Sequence, residues 1–568
     1  MSAPRAQAPV DRDTERWVSQ TLEGMTLDQR IGQLINVGID SSFLSTGSDA
    51  FQQAATAVRD FHAGSVIVFG VGDQLGNPLN VASTLNRLQS LAPVPLLVAA
   101  DFEFGLGMRL AGGTTFPRAM AFGATGDPQL AYEAARLTAM EARAIGVHLN
   151  LAPVSDVNNN PRNPVINTRS FGESPTAVAA MVSAYVRGLQ AGGAQATLKH
   201  FPGHGDTAVD SHIGLPLILH PRERLDAVEL VPFRAGIAAG ADAVMTSHIE
   251  LPAIDPAPET PATFSTAIAT ELLRNQLRHD GLVITDSMRM AALAKLAVSR
   301  DAVVRAVTAG HDILLDVASA EDTFFAIAAA IERGDISLDR IDASVTRILR
   351  AKARADLHRQ KLVDLDVIGD QVGTRQSKAM AASVAERAIT LVRDEGPPLQ
   401  SELNVLYLSA VDYASGWVTP PGRTLLPMLR ARWPSLKVVE LTDRTSAADV
   451  EAVAASLDQY DAVVAGVFVR TMSGSGRMDL PAPLARLLND AGRRARERRA
   501  PMAAVVFGNP YTASFLPDVP TLAVAYDYYE LAERAAGRAL LGETAIGGRL
   551  PVSISPEMPA LHGLTRSR

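Results

Sequence analysis

Eight short apolar runs, at residues 31–39, 63–70, 94–102, 146–154, 194–200, 241–248, 281–286 and 312–316, recur through the first half of the chain and end in polar or charged residues. A short continuous apolar run suits a strand buried on both faces, as in a parallel sheet covered by helices. Longer Ala/Leu/Arg/Glu-rich stretches with helical spacing separate them, at 127–144, 174–191, 221–239, 266–278 and 320–333, with a shorter one at 300–309. Such alternation signals βα units, and eight of them predict a closed (β/α)8-like barrel. An open doubly wound sheet has a similar periodicity. The number of strand ends carrying polar groups favours the barrel, whose reactive loops gather on one face.

The pattern changes after Arg350. Residues 1–350 are read as the barrel domain, 351–374 as a linker, and 375–568 as a smaller α/β sandwich. The sandwich opens with a helix at 376–389 and has strand-like runs at 403–408, 436–441, 462–468, 502–507 and 521–525. Within it, the Ser-, Gly- and charge-rich residues 470–479 read as a surface loop.

Hydrophobic residues make up 47% of the 568, enough for substantial cores in an ordinary globular chain. A net charge of -8 offers no long-range attraction to nucleic acid or an anionic membrane, and no stretch reads as a membrane span. Cysteine is absent, which excludes disulfides, thiolate nucleophiles and thiolate metal sites. The first residues lack the apolar core of a secretory signal. The expected location is therefore the cytoplasm if the native start is as given, with a secreted or periplasmic protein as the alternative. The sequence carries no signal for oligomeric state.

The densest set of chemically active residues follows the fifth run: Lys199-His200-Phe201-Pro202-Gly203-His204-Gly205-Asp206, continuing to Asp210-Ser211-His212. Pro202, Gly203 and Gly205 oppose a continuous helix, so a folded loop must place the histidines. The spacing fits no strong linear metal signature, although a divalent-metal site and a purely structural loop both remain open readings. If the loop curls, Asp210 can hold one imidazole nitrogen of His212 while the other faces a substrate, a proton-transfer dyad. His204 and Asp206 are expected to hold the loop's bends through hydrogen bonds.

A second candidate ends the seventh run, Leu282-Val283-Ile284-Thr285-Asp286. A barrel strand would deliver Asp286 to the reactive face, where an ionised carboxylate can attack an electrophilic carbon. The competing role is a helix N-cap just after the strand. Thr285 and Ser287 lie on no nucleophile-elbow pattern, and phosphate-loop and dinucleotide fingerprints are absent.

At these residues the chain resembles the family 3 glycoside hydrolases, most closely their bacterial β-N-acetylglucosaminidase branch. The resemblance covers most of residues 27–317, is strongest over 199–215, and extends to the family's C-terminal α/β domain. It implies that Asp286 is the nucleophile, His212 the general acid/base and Asp210 the group orienting His212, in a retaining two-step hydrolysis. It matches Asp101, Arg169, Lys199 and His200 to sugar-contacting positions. It implies no metal and no organic cofactor, and a small carbohydrate or muropeptide as the substrate partner. The expected activity is removal of terminal β-linked GlcNAc, with GlcNAc-MurNAc fragments of peptidoglycan as the substrate source. A β-glucosidase or β-xylosidase of the same family and a noncatalytic sugar-binding protein are the alternatives. The segment Asp101-Phe102-Glu103-Phe104-Gly105-Leu106-Gly107 departs from the commoner family form at Phe102, Phe104 and Leu106.

Overall fold

The computed structural model describes residues 12–70, 75–209, 214–294, 299–413, 417, 420–471 and 478–568. They fall into two compact units. One comprises Met1–Thr115, Pro128–Val157 and Val178–Lys378; the other comprises Phe116–Asp127, Asn158–Ala177 and Ala379–Arg568.

The first unit is built on β1 (Asn36–Asp40), β2 (Ser65–Phe69), β3 (Leu97–Ala100), β4 (Leu149–Asn150), β5 (Gln195–Phe201), β6 (Ala243–Thr246) and β7 (Leu282–Thr285). These pair in chain order, every neighbour parallel. The eighth apolar run completes the circuit through two parallel bridges, Ile313 with Ile284 of β7 and Leu314 with Ile35 beside β1. The sheet is thus curled back on its first strand as a barrel.

Val66, Ile67, Val68, Leu97 and Val98 are wholly buried, as strands covered on both faces require. Outside them, the helix Leu338–Arg354 turns Ile341, Val345, Ile348 and Leu349 inward at helical spacing, with Ser337 capping its start. Each such side chain contributes roughly 1.5–3 kcal/mol by leaving water.

Two local expectations are corrected. The first run does not form a strand throughout, since Ile31–Gln33 end the helix Leu27–Gln33, opened by a reciprocal Thr26/Gln29 capping box. Apolar residues 31, 34 and 35 suit a helix face as well as a strand, and the cap decides between them. The stretch 221–239 is two helices, Arg222–Ala227 and Leu230–Ala238. Pro232 cannot donate to Val228 four residues back, so the second helix restarts with the proline in its first turn.

The second unit holds β8 (Thr390–Asp394), β9 (Val405–Val411), β10 (Lys437–Thr442), β11 (Ala462–Val469), β12 (Met502–Gly508) and β13 (Thr521–Val524). Their order is β10-β9-β11-β12-β13-β8, parallel except for the antiparallel β13–β8 pair. Leu406, Leu408 and Val467 pack on one face with Leu484 and Leu488 of the helix Ala482–Arg498. Tyr407, Val464 and Phe468 pack on the other with Leu425, Leu429 and Ala535. This is an α/β sandwich.

The early segments belong to the same unit. Met120, Ala121 and Ala124 enter its core, Asn158 donates to the Tyr511 hydroxyl at 2.9 Å, and Asn167 donates to Asn509 at 3.2 Å. Among the described residues, no helix in the chain is long and apolar enough to cross a membrane.

Candidate active site

The C-terminal ends of the first unit's strands carry its polar side chains, the face on which barrels of this kind place their chemistry. Asp101 follows β3. Its Oδ1 accepts from Lys199 Nζ at 2.7 Å and its Oδ2 from Arg109 Nη2 at 2.9 Å. Lys199, near the end of β5, also meets Glu103 Oε1 at 2.7 Å. Burial pushes the Asp101 carboxyl up, but Lys199 and Arg109 together hold it below the usual carboxylate range, against the opposing charge of Glu103. Arg109 is fixed by the Gly70 carbonyl at 3.2 Å and lies over the Phe69 ring. Phe102 and Leu106 are wholly buried in the barrel core.

The neighbouring residue, His200, turns to a different carboxylate. Its Nδ1 lies 2.7 Å from Asp156 Oδ2, while Asp156 Oδ1 accepts the main-chain N–H groups of His200 at 3.3 Å and His204 at 2.7 Å. Asp156 is wholly buried. Burial alone would raise its carboxyl, but the two histidines and the hydrogen bonds hold it below the usual range. A carboxylate opposite Nδ1 fixes the proton there and leaves Nε2 as the second functional nitrogen of His200. The peptides Lys199–His200 and Phe201–Pro202 are both cis.

Beyond β5 the chain bends sharply. A Cβ at Gly205 would come within 1.8 Å of the Val157 carbonyl oxygen, so no side chain fits there. His204 Nδ1 pairs with Thr207 Oγ1 at 2.8 Å, and Asp206 Oδ2 with His220 Nε2 at 2.8 Å. Asp210 and His212, the sequence-derived dyad, lie outside the described residues.

Asp286 follows β7 and is half-buried. Its Oδ1 accepts the Ser287 N–H at 2.7 Å. The next helix begins only at Ala291, so Asp286 is not its N-cap. Burial pushes the carboxyl up, but His200, then His248, the Ser287 N–H and Lys199 outweigh it and hold Asp286 below the usual range. His248, after β6, is fixed between Thr263 Oγ1 at 2.6 Å and the Ser287 carbonyl at 3.0 Å. The site therefore contains an ionised carboxylate beside a hydrogen-bonding floor made by Asp101, Lys199 and His200. Such an arrangement can hold a polyhydroxylated ring and attack it from one side.

Arg169 belongs to the second unit, in the single turn Asn167–Arg169, where its Nη1 donates to the Val165 carbonyl at 3.2 Å. Among the described residues no group of three His, Asp or Glu side chains converges as a metal cage.

Sequence reasoning alone passes over Arg109, Asp156, His248 and Asp316. Asp156 and Asp316 have a visible signal, an acidic residue at or just beyond the end of an apolar run. Arg109 has none beyond its nearness in sequence to Asp101.

The family described as "Glycosyl hydrolase family 3 N terminal domain" matches residues 26–351. The β-N-acetylglucosaminidase/β-glucosidase of Cellulomonas fimi is 31% identical over 582 residues, covering 96% of this chain and 96% of its own. β-Hexosaminidase A of Pseudoalteromonas piscicida is 34% identical over 385 residues, 62% of this chain and 64% of its own. The solved structure of a glycoside hydrolase family 3 β-N-acetylglucosaminidase from Paenibacillus sp. str. FPU-7 is similar with a TM-score of 0.81 at 36% identity, covering 94% of this chain and 99% of that one.

Proposed function

The chain belongs to glycosyl hydrolase family 3, an exo-acting glycosidase of β-linked sugars, and from that footing we infer that it is a retaining β-N-acetylglucosaminidase releasing terminal GlcNAc. The observation carrying this reading is Asp286: a carboxylate kept ionised by His200, His248 and Lys199 at the end of a barrel strand, beside a floor suited to sugar hydroxyls.

In the first step Asp286 attacks the anomeric carbon while His212, oriented by Asp210, gives its proton to the departing glycosidic oxygen. The C–O bond to the leaving group breaks as the bond to Asp286 forms. In the second step His212 takes a proton from water, the water oxygen bonds to the anomeric carbon, and Asp286 leaves as carboxylate. Asp101 accepts from ring hydroxyls, and Lys199, His200 and Arg169 donate to ring or acyl oxygens. His204 and Asp206 hold the bend that leads to His212. Peptidoglycan-derived GlcNAc-MurNAc fragments are the proposed source of that terminal GlcNAc; the relatives' names, β-hexosaminidase and β-N-acetylglucosaminidase, support the sugar alone.

A second reading, β-glucoside hydrolysis, is favoured by the dual name of the Cellulomonas relative. Turnover of matched aryl β-glycosides of GlcNAc, glucose and xylose separates the two. Preference for GlcNAc is expected; preference for glucose or xylose overturns the specificity, and binding without turnover overturns the hydrolase reading.

A further inference from the structure

Asp316 ends the eighth barrel segment, on the face that carries Asp101 and Asp286. Its side chain is nine-tenths buried. Its Oδ2 accepts the Ser287 hydroxyl at 2.7 Å, and the Ser287 N–H meets Asp286, so one serine ties both carboxyl groups. The backbone is fixed as firmly: φ is +50°, in the left-handed region, and the main-chain N–H donates to Asn36 Oδ1 at 3.2 Å. An aspartate held in that sparsely used conformation by its neighbours marks a position where the orientation of the side chain matters.

The other oxygen, Oδ1, is buried and has no hydrogen-bond partner among the described residues. Among the described residues the cation paired with it is Arg289 Nη1, 3.8 Å away on a side chain that is 64% exposed, beyond hydrogen-bond range and screened by water. Gly38 of β1 packs closely against Oδ1, where a Cβ would come within 2.7 Å of it. Burial raises the Asp316 carboxyl; Ser287 and Arg289 oppose that, and the charges of Asp286 and Asp101 add to it, so Asp316 sits within the field of the same site. A buried, unpaired acceptor of this kind is costly unless something completes it.

We propose that Asp316 is a substrate-contacting residue whose Oδ1 accepts a hydrogen bond from one hydroxyl of the β-linked pyranose that presents its anomeric carbon to Asp286. This rests on the reading of Asp286 as the nucleophile. Ser287 then couples the two: it holds the attacking carboxylate through its N–H and the sugar-reading carboxylate through its O–H.

The test is a coupling measurement on the full chain, with 4-nitrophenyl β-GlcNAc and its 3-, 4- and 6-deoxy analogues against wild type, Asp316→Ala and Asp316→Asn. Removing one particular hydroxyl is expected to lower wild-type kcat/KM by about 30-fold, Asp316→Ala to lower it on the parent substrate by a similar factor, and the two losses not to multiply. Asp316→Asn keeps the shape should alanine fail to fold, and is expected to shrink the discrimination against that one deoxy sugar several-fold. Multiplying losses, discrimination unchanged in the Asn variant, or wild-type activity in both variants overturns the proposal. Failure of the GlcNAc assignment reads differently, as poor turnover of the whole series alongside good turnover of glucosides, and the same coupling is then measured on deoxyglucosides.

Discussion

The Asp156 carboxylate joins two histidines, taking His200 Nδ1 at 2.7 Å on one oxygen and the His204 N–H at 2.7 Å on the other. It fixes both the tautomer of His200 and the entry of the chain into the bend that leads to His212. Asp156→Ala removes the buried acceptor that these donors share, and should cost roughly 3–5 kcal/mol of stability. Asp156→Asn should cost less and raise KM, because the amide cannot support His200 with a charge. Because the Asp156 carboxyl lies below its unfolded value, its contribution is full above about pH 4 and is lost as pH falls through the folded value. Thermal unfolding of wild type and variants between acid and neutral pH checks both statements.

Asp286→Asn should reduce kcat by at least about a thousand-fold with an intact thermal transition, as expected when a nucleophile is lost. With a 2-fluoro glycosyl fluoride, the wild-type protein should gain one sugar mass at Asp286 and the variant none. Since Asp286 is held below the usual carboxylate range, the nucleophile should remain ionised through mildly acidic pH, and the acid limb it imposes on kcat/KM should lie below about pH 4. An adduct elsewhere would remove Asp286 from the mechanism.

His212→Gln should discriminate between leaving groups. Substrates with a poor leaving group need the proton and should lose about 100-fold or more in kcat/KM, whereas a dinitrophenyl glycoside should lose far less. Equal losses on both would assign His212 a role other than general acid.

Away from the site, Lys352 is wholly buried and donates to Gln33 Oε1. Burial pushes its ammonium down to about 7. The unfolded chain therefore binds more protons between about pH 7 and the free-lysine value near 10.4, and stability rises with pH across that window. Lys352→Met should stabilise the protein at neutral pH by roughly 1–3 kcal/mol, and its advantage should shrink toward pH 10. Denaturant midpoints at the two pH values give the comparison.

The barrel is readable because its strands are buried on both faces, so Val66–Val68 and Leu97–Val98 stand out as uninterrupted apolar runs. Ile31–Gln33 mislead because an apolar run alone does not separate helix from strand, and the deciding signal, Thr26 with Gln29, lies upstream. β8 escapes notice because Thr390–Asp394 is a short edge strand with a charged end, directly after a helix. At the site, Asp101, Lys199, His200 and Asp286 carry visible chemistry. Arg109, His248 and Asp316 matter through neighbours brought to them by folding, so Asn36 on Asp316 or Thr263 on His248 leaves no trace in local sequence.

The second unit is assembled from chain made at different times. Phe116–Asp127 and Asn158–Ala177 supply Met120, Ala121, Ala124 and Asn158 to a sheet whose strands begin only at Thr390. On the ribosome these early pieces emerge long before Tyr511 and Asn509 exist, and a fragment starting at Ala379 lacks them altogether. Completion of this unit therefore waits until its late strands have been made, and cutting the chain between Lys378 and Ala379 would sever one folding unit rather than separate two.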